Sequence, residues 1–148
     1  MMSQSMFLSR LGKSTLALTI SVCTSIASAG TVVVVNVHNP VTALTRAQVA
    51  DIFLARASAF PNGGDAVPID QRDNAHSHDA FYRDVTGKSG AQLKVYWSTL
   101  IFTGRGEPPR ALNNAESVKK AVSEMADAVG YIDESDVDSS VKVVLVLP

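Results

Sequence analysis

The sequence predicts one α/β domain, a small mixed sheet flanked by about four helices. Three observations predict it. Thr31 to Val37 is a continuous, largely β-branched run, the pattern of a strand covered on both faces and therefore central in its sheet. Two capping boxes, Thr45-Arg46-Ala47-Gln48 and Ser89-Gly90-Ala91-Gln92, each open a stretch with apolar residues at helical spacing. Two further apolar runs, Val129 to Ile132 and Val141 to Leu147, close the chain on either side of an acidic turn from Asp133 to Asp138.

Each element follows from local chemistry. After the first strand stops at Asn39-Pro40, Leu44 and Val49 form a hydrophobic staple around the Thr45 cap. Val49, Ile52 and Phe53 are the buried stripe of a helix from Arg46 to Ala55. Turn residues from Phe60 to Asp65 precede a short strand, Ala66 to Asp70, which Pro68 demotes to an edge or confines to a strand start. His78, Phe81, Tyr82 and Val85 have helical spacing, and Gly87 suits the C-terminal cap. The Ser89 helix should bury Leu93, Tyr96, Trp97, Leu100 and Ile101, ending in a loop from Thr103 to Arg110 that is expected to be irregular. Asn113-Asn114-Ala115-Glu116 caps a last helix with Val118, Ala121, Val122 and Met125 on its inner face.

At 46% hydrophobic and 18% charged, the 148 residues have the balance of a globular domain and exclude a disordered chain. The 13 Lys and Arg against 14 Asp and Glu give no basic excess, so no nucleic acid partner is expected. The first 29 residues hold Arg10 and Lys13, an apolar run from Leu16 to Ile26, and Ala27-Ser28-Ala29. That is the layout of a signal peptide cleaved after Ala29, with residues 30–148 as the mature periplasmic domain. Cleavage would remove two bases and no acids, leaving 11 against 14 and a net of −3, and would remove Cys23, the one cysteine. Disulfides and thiol catalysis are then excluded. Ile20-Ser21-Val22-Cys23 loosely resembles a lipobox, with bulky Val22 where a small residue is wanted.

Three motifs taken in order resemble those of the phosphate-type substrate-binding proteins of ABC transporters. They are Leu44-Thr45-x-x-Gln48-x-x-Asp51-Ile52-Phe53-Leu54, Trp97-x-x-x-Ile101-Phe102-Thr103-Gly104-Arg105-Gly106-x-Pro108-Pro109, and Val129-Gly130-Tyr131-Ile132. The resemblance spans most of residues 31–147. It implies a single lobe of a type 2 periplasmic-binding-protein-like fold, since full-length members close two lobes on phosphate and the first has no counterpart here. It also implies a binder with no catalytic residues and no cofactor, whose ligand is phosphate or a similar oxyanion. An ABC permease or another periplasmic protein would be its partner, and a homodimer stays open as a way to rebuild a cleft. The alternative is an accessory or interaction module of the same fold that has lost its ligand.

The anion motif of such proteins, an Arg followed four residues on by Ser-Gly-Thr at a helix start, falls here on Arg72 and His76-Ser77-His78, with Phe81 matching the following Phe. Arg72, His76, Ser77 and His78 are therefore the candidate ligand-binding residues: a guanidinium fork beside a helix start suits an oxyanion. Ser77 stands where glycine would let the backbone approach most closely, so the match is partial. A metal cluster of His76, His78, Asp73 and Asp79 is disfavoured, because residues i and i+2 on a helix point about 200° apart. Ser77 beside His78 is no triad. Tyr96 and Trp97 read as core before they read as a ligand platform.

Intact mass of exported protein tests the leader: the mature chain should begin at Gly30. A lipid-modified Cys23 or a retained leader would overturn that reading.

Overall fold

A strand with no polar face has to be covered on both sides, and β1 (Thr31–Asn36) is. The computed structural model describes residues 30–72 and 76–148; the leader-like segment and its cleavage site lie outside the described residues. After β1 come α1 (Arg46–Phe53), β2 (Val67–Gln71), α2 (His76–Thr86), α3 (Gly90–Phe102) and β3 (Arg110–Leu112). The chain ends with α4 (Ala115–Glu124), β4 (Ala128–Asp133), a short 3-10 turn (Glu134–Asp136) and β5 (Val141–Val146).

The five strands form one mixed sheet in the order β3-β2-β4-β1-β5. β1 runs antiparallel to β4 and β5, while β2 runs parallel to β4 and β3. The pleat sends Val33 and Val35 to one face, where Val129, Tyr131 and Val144 join the apolar sides of α1, α2 and α3. It sends Val32 and Val34 to the other, where Ile69, Ala128, Ile132 and Val141 meet Val118 and Val122 of α4. Both capping boxes are present, each with reciprocal side-chain and backbone bonds. Asn114 caps α4. Among the described residues, no helix is long and apolar enough to cross a membrane.

Three expectations need correction. Of the two places allowed to Pro68, the strand start holds and the edge does not. β2 is interior, Pro68 is its second residue and pairs with Val129 on one side, and the β3 ladder starts only at Ile69, so no bond is asked of the missing N–H. The loop after α3 does not stay irregular, because Arg110 to Leu112 adds as a short strand on the free side of β2. The α3 stripe is narrower than its pattern: Leu93 and Trp97 are buried and Tyr96 and Leu100 partly so, but Ile101 is 57% exposed. Val95 and Phe102, the latter 93% exposed, also face outward. A helix apolar nearly all round carries little contrast by which to choose its inner face.

Gly130 marks the tightest contact between sheet and α4. A Cβ there would stand 2.5 Å from Val118 Cγ1 and 3.1 Å from Val122 Cγ2. Gly130→Ala should therefore destabilise the fold by about 1–3 kcal/mol despite stiffening the unfolded chain. Urea unfolding should show a lower midpoint at unchanged slope; an unchanged midpoint would mean that α4 is free to move aside.

Candidate functional site

β2 ends in Asp70 and Gln71, and the chain leaves the sheet at Arg72, whose N–H donates to the Leu112 carbonyl of β3 at 3.1 Å. The carboxyl ends of parallel strands are where α/β sheets place their ligands, since connections diverge there and leave a crevice. A cleft of about 510 Å³ opens at this point, walled by Asp70, Gln71 and Arg72 and by His78 and Asp79 of α2. Gly90, Ala91, Leu93, Lys94 and Trp97 of α3 form a second wall, and Pro108, Pro109 and Ala111 complete it.

The innermost group is a buried carboxylate. Tyr131 Oη donates to Asp70 Oδ1 at 2.6 Å and Tyr82 Oη to Oδ2 at 2.6 Å, while the Gln71 N–H donates to Oδ1 at 2.8 Å. Burial pushes the Asp70 pKa above the ordinary carboxylate range; the tyrosine hydroxyls, nearby His78 and the Gln71 N–H oppose that rise without cancelling it. Both tyrosines are pushed well above their ordinary value, by burial first and by the Asp70 charge second, so they stay protonated donors. The rings serve the core as well: Tyr131 stacks on Phe81 at 3.8 Å, and Phe53 meets both edge-on.

The sequence-predicted residues divide between two places. Arg72 is exposed and His78 buried, and both line the cleft. His78 Nε2 stands 3.8 Å from Asp70 Oδ2, its Nδ1 lies 3.2 Å from Asp79 Oδ1, and its ring packs on Tyr82. His76 and Ser77 line a different hollow, with Thr31, Ala80, Asp84, Asp133 and Pro148. Ser77 is committed besides, donating its hydroxyl to Gln71 Oε1 at 2.6 Å. Sequence reasoning missed Asp70 and Lys94 as cleft residues, and Tyr82 and Tyr131 as the buried donors behind Asp70. The one available signal was a carboxylate at a strand's carboxyl end. Asp73 lies outside the described residues, and among the described residues no three His, Cys, Asp or Glu side chains converge as a metal site.

Asp79 gives the cleft an internal anion. Its carboxyl oxygens lie 3.5 and 3.8 Å from where a Cβ on Gly90 would stand, so the side chain rests against the start of α3. The first turn of a helix favours negative charge, and here the chain supplies its own. Arg72 and Lys94 are left as the exposed cations of the cleft, neither in an ion pair among the described residues.

No protein-family model and no curated protein sequence matches the chain. Solved structures do. A protein from Clostridium perfringens described as a phosphate ABC transporter substrate-binding protein with bound phosphate superposes with a TM-score of 0.62 and 25% identity, covering 78% of this chain and 44% of that one. An ABC-type phosphate transport receptor from Vibrio cholerae gives 0.62 and 23%, covering 78% of this chain and 45% of that one. PstS from Borrelia burgdorferi gives 0.60 and 9%, covering 78% of this chain and 46% of that one. The fold is thus phosphate-binding-protein-like, a single lobe, and the chain spans less than half the length of the solved structures it matches.

The buried network sets a pH signature. A carboxyl whose pKa is higher folded than unfolded stabilises the fold fully below its unfolded value, about 3.9, and that contribution fades as pH rises through the folded value. Wild type should therefore lose stability relative to Asp70→Asn as pH climbs from about 4. Tyr82→Phe, which removes a donor that lowers the Asp70 pKa, should extend the window upward and cost about 1–3 kcal/mol. Urea unfolding of the three proteins across pH measures both effects, and parallel curves for wild type and Asp70→Asn would show that Asp70 does not titrate there.

Proposed function

We propose that this chain is an exported, periplasmic, non-enzymatic binding lobe for phosphate or a related oxyanion, linked to ABC-type transport. The observation that carries the reading is Arg72, exposed at the carboxyl end of β2 in the cleft of a fold shared with a phosphate-bound structure. A guanidinium offers paired N–H donors that match an oxyanion's oxygens, and Lys94 adds a second cation across the cleft. Binding is weak, because the anion meets one exposed wall where water keeps competing, and because Asp79 and Asp70 put negative charge into the same space.

That same pair of carboxylates favours a second reading. A lobe whose own Asp79 rests at the α3 start has part of its anion site filled from within, as an accessory or interaction module that gave up its ligand would.

Calorimetry with inorganic phosphate separates the two. The binding lobe should give a dissociation constant in the high micromolar to millimolar range, roughly −4 to −6 kcal/mol, weakened by added salt and lost in Arg72→Ala. Absence of heat in wild type would establish the ligand-free module instead. Equal heats from both proteins would move the anion away from Arg72.

A further inference from the structure

The cleft is larger and more apolar than inorganic phosphate requires. Its volume of about 510 Å³ lies within the range of sites that enclose small organic molecules, whereas phosphate is one phosphorus and four oxygens. The two exposed cations, Arg72 and Lys94, share that space with Leu93, Trp97, Pro108 and Pro109, none of which offers a side-chain hydrogen bond to an oxyanion except through the indole N–H. Asp70 adds no donor either, its oxygens accepting from two tyrosine hydroxyls and a backbone N–H. An inorganic anion would occupy the cationic part and leave the exposed part of the apolar wall, the Pro108-Pro109 turn and the edges that Leu93 and Trp97 show to the cleft, in water.

We propose that the cleft takes an organic phosphate, a phosphomonoester whose dianion meets Arg72 and Lys94 while its apolar alcohol group lies against Trp97, Leu93 and the Pro108-Pro109 turn. The proposal rests on the oxyanion reading above and narrows its ligand class. Charge complementarity selects the head group, and removal of apolar area from water adds an attraction that inorganic phosphate cannot gain. The exposed cations contribute little alone, since solvent screens them, so the apolar wall decides the preference.

Trp97 is the only tryptophan of the chain and lines the cleft, so its fluorescence reports occupancy directly. Titration with phenyl phosphate should perturb that emission and give a dissociation constant at least tenfold below that of inorganic phosphate measured by calorimetry, with both affinities reduced several-fold in Arg72→Ala. Ala91, an exposed residue lining the cleft from the first turn of α3, allows a blocking variant that leaves the core untouched. Ala91→Phe should weaken phenyl phosphate at least tenfold and inorganic phosphate by less, so that the preference for the ester disappears. If phenyl phosphate binds no tighter than inorganic phosphate, and both need Arg72, the narrowed class is wrong and the oxyanion reading stands. If phenol binds as tightly as phenyl phosphate, the cleft is an apolar site and the proposal fails. If neither anion depends on Arg72, both readings fall together.

Discussion

Asp70 is a carboxylate placed where little water reaches it, and the cost of that placement organises this end of the molecule. A buried charge needs donors from close by, and the two that reach its separate oxygens come from different layers, Tyr131 from β4 and Tyr82 from α2. The helix is thereby tied to the sheet by polar bonds as well as by its apolar face. Gln71 extends the tie, donating its side-chain amide to the Tyr131 carbonyl and accepting from Ser77 at the start of α2. With β2, β4 and α2 held in one arrangement, the point at which the chain leaves the sheet is set, and Arg72 is delivered to the rim of the cleft.

What the sequence made legible was whatever short-range spacing encodes. The valine run of β1, the capping boxes and the Val118 and Val122 stripe of α4 each involve neighbours within a few positions, and each was read correctly. β3 has no such pattern, since Arg110-Ala111-Leu112 is a strand only because β2 offers its free side. The Asp70 network was likewise out of reach, as its partners are 12 and 61 residues away and both tyrosines pass as members of apolar stripes. Arg72 was named only through the resemblance, as the match to the Arg of the family's anion motif, and it lines the cleft. His76, Ser77 and His78 were grouped because they fall on the motif's Ser-Gly-Thr, yet a helix turns about 100° per residue, and consecutive side chains cannot all look into one cleft.

The electrostatics of the cleft are those of a site with its own counter-charges. Asp79 rests at the start of α3 and beside His78 Nδ1, the places an external anion would otherwise seek. Exposed Arg72 and Lys94 attract across a medium close to water, where a contact pair is worth about 1 kcal/mol. Charge alone would therefore orient the proposed ligand more than hold it, which leaves its retention to the apolar wall.

The cationic groups of the proposed ligand surface are separate from those that hold the fold, whereas Leu93 and Trp97 of its apolar wall belong to the core. Arg72, Ala91 and Lys94 are exposed and belong to neither apolar cluster, whereas Asp70, Tyr82 and Tyr131 are buried and bonded. On the far side of the sheet, Asn36 donates to the Val122 and Ser123 carbonyls and Asn39 to that of Ala126, closing the end of α4 with no involvement of the cleft. A substitution on the exposed wall changes what binds at little cost to stability, because no buried donor is orphaned and no cavity is opened. A substitution in the carboxylate network does the reverse. On the function proposed above, the lobe would exchange one anion for another, or lose its ligand, through a few surface residues while the Asp70 network keeps the architecture in place.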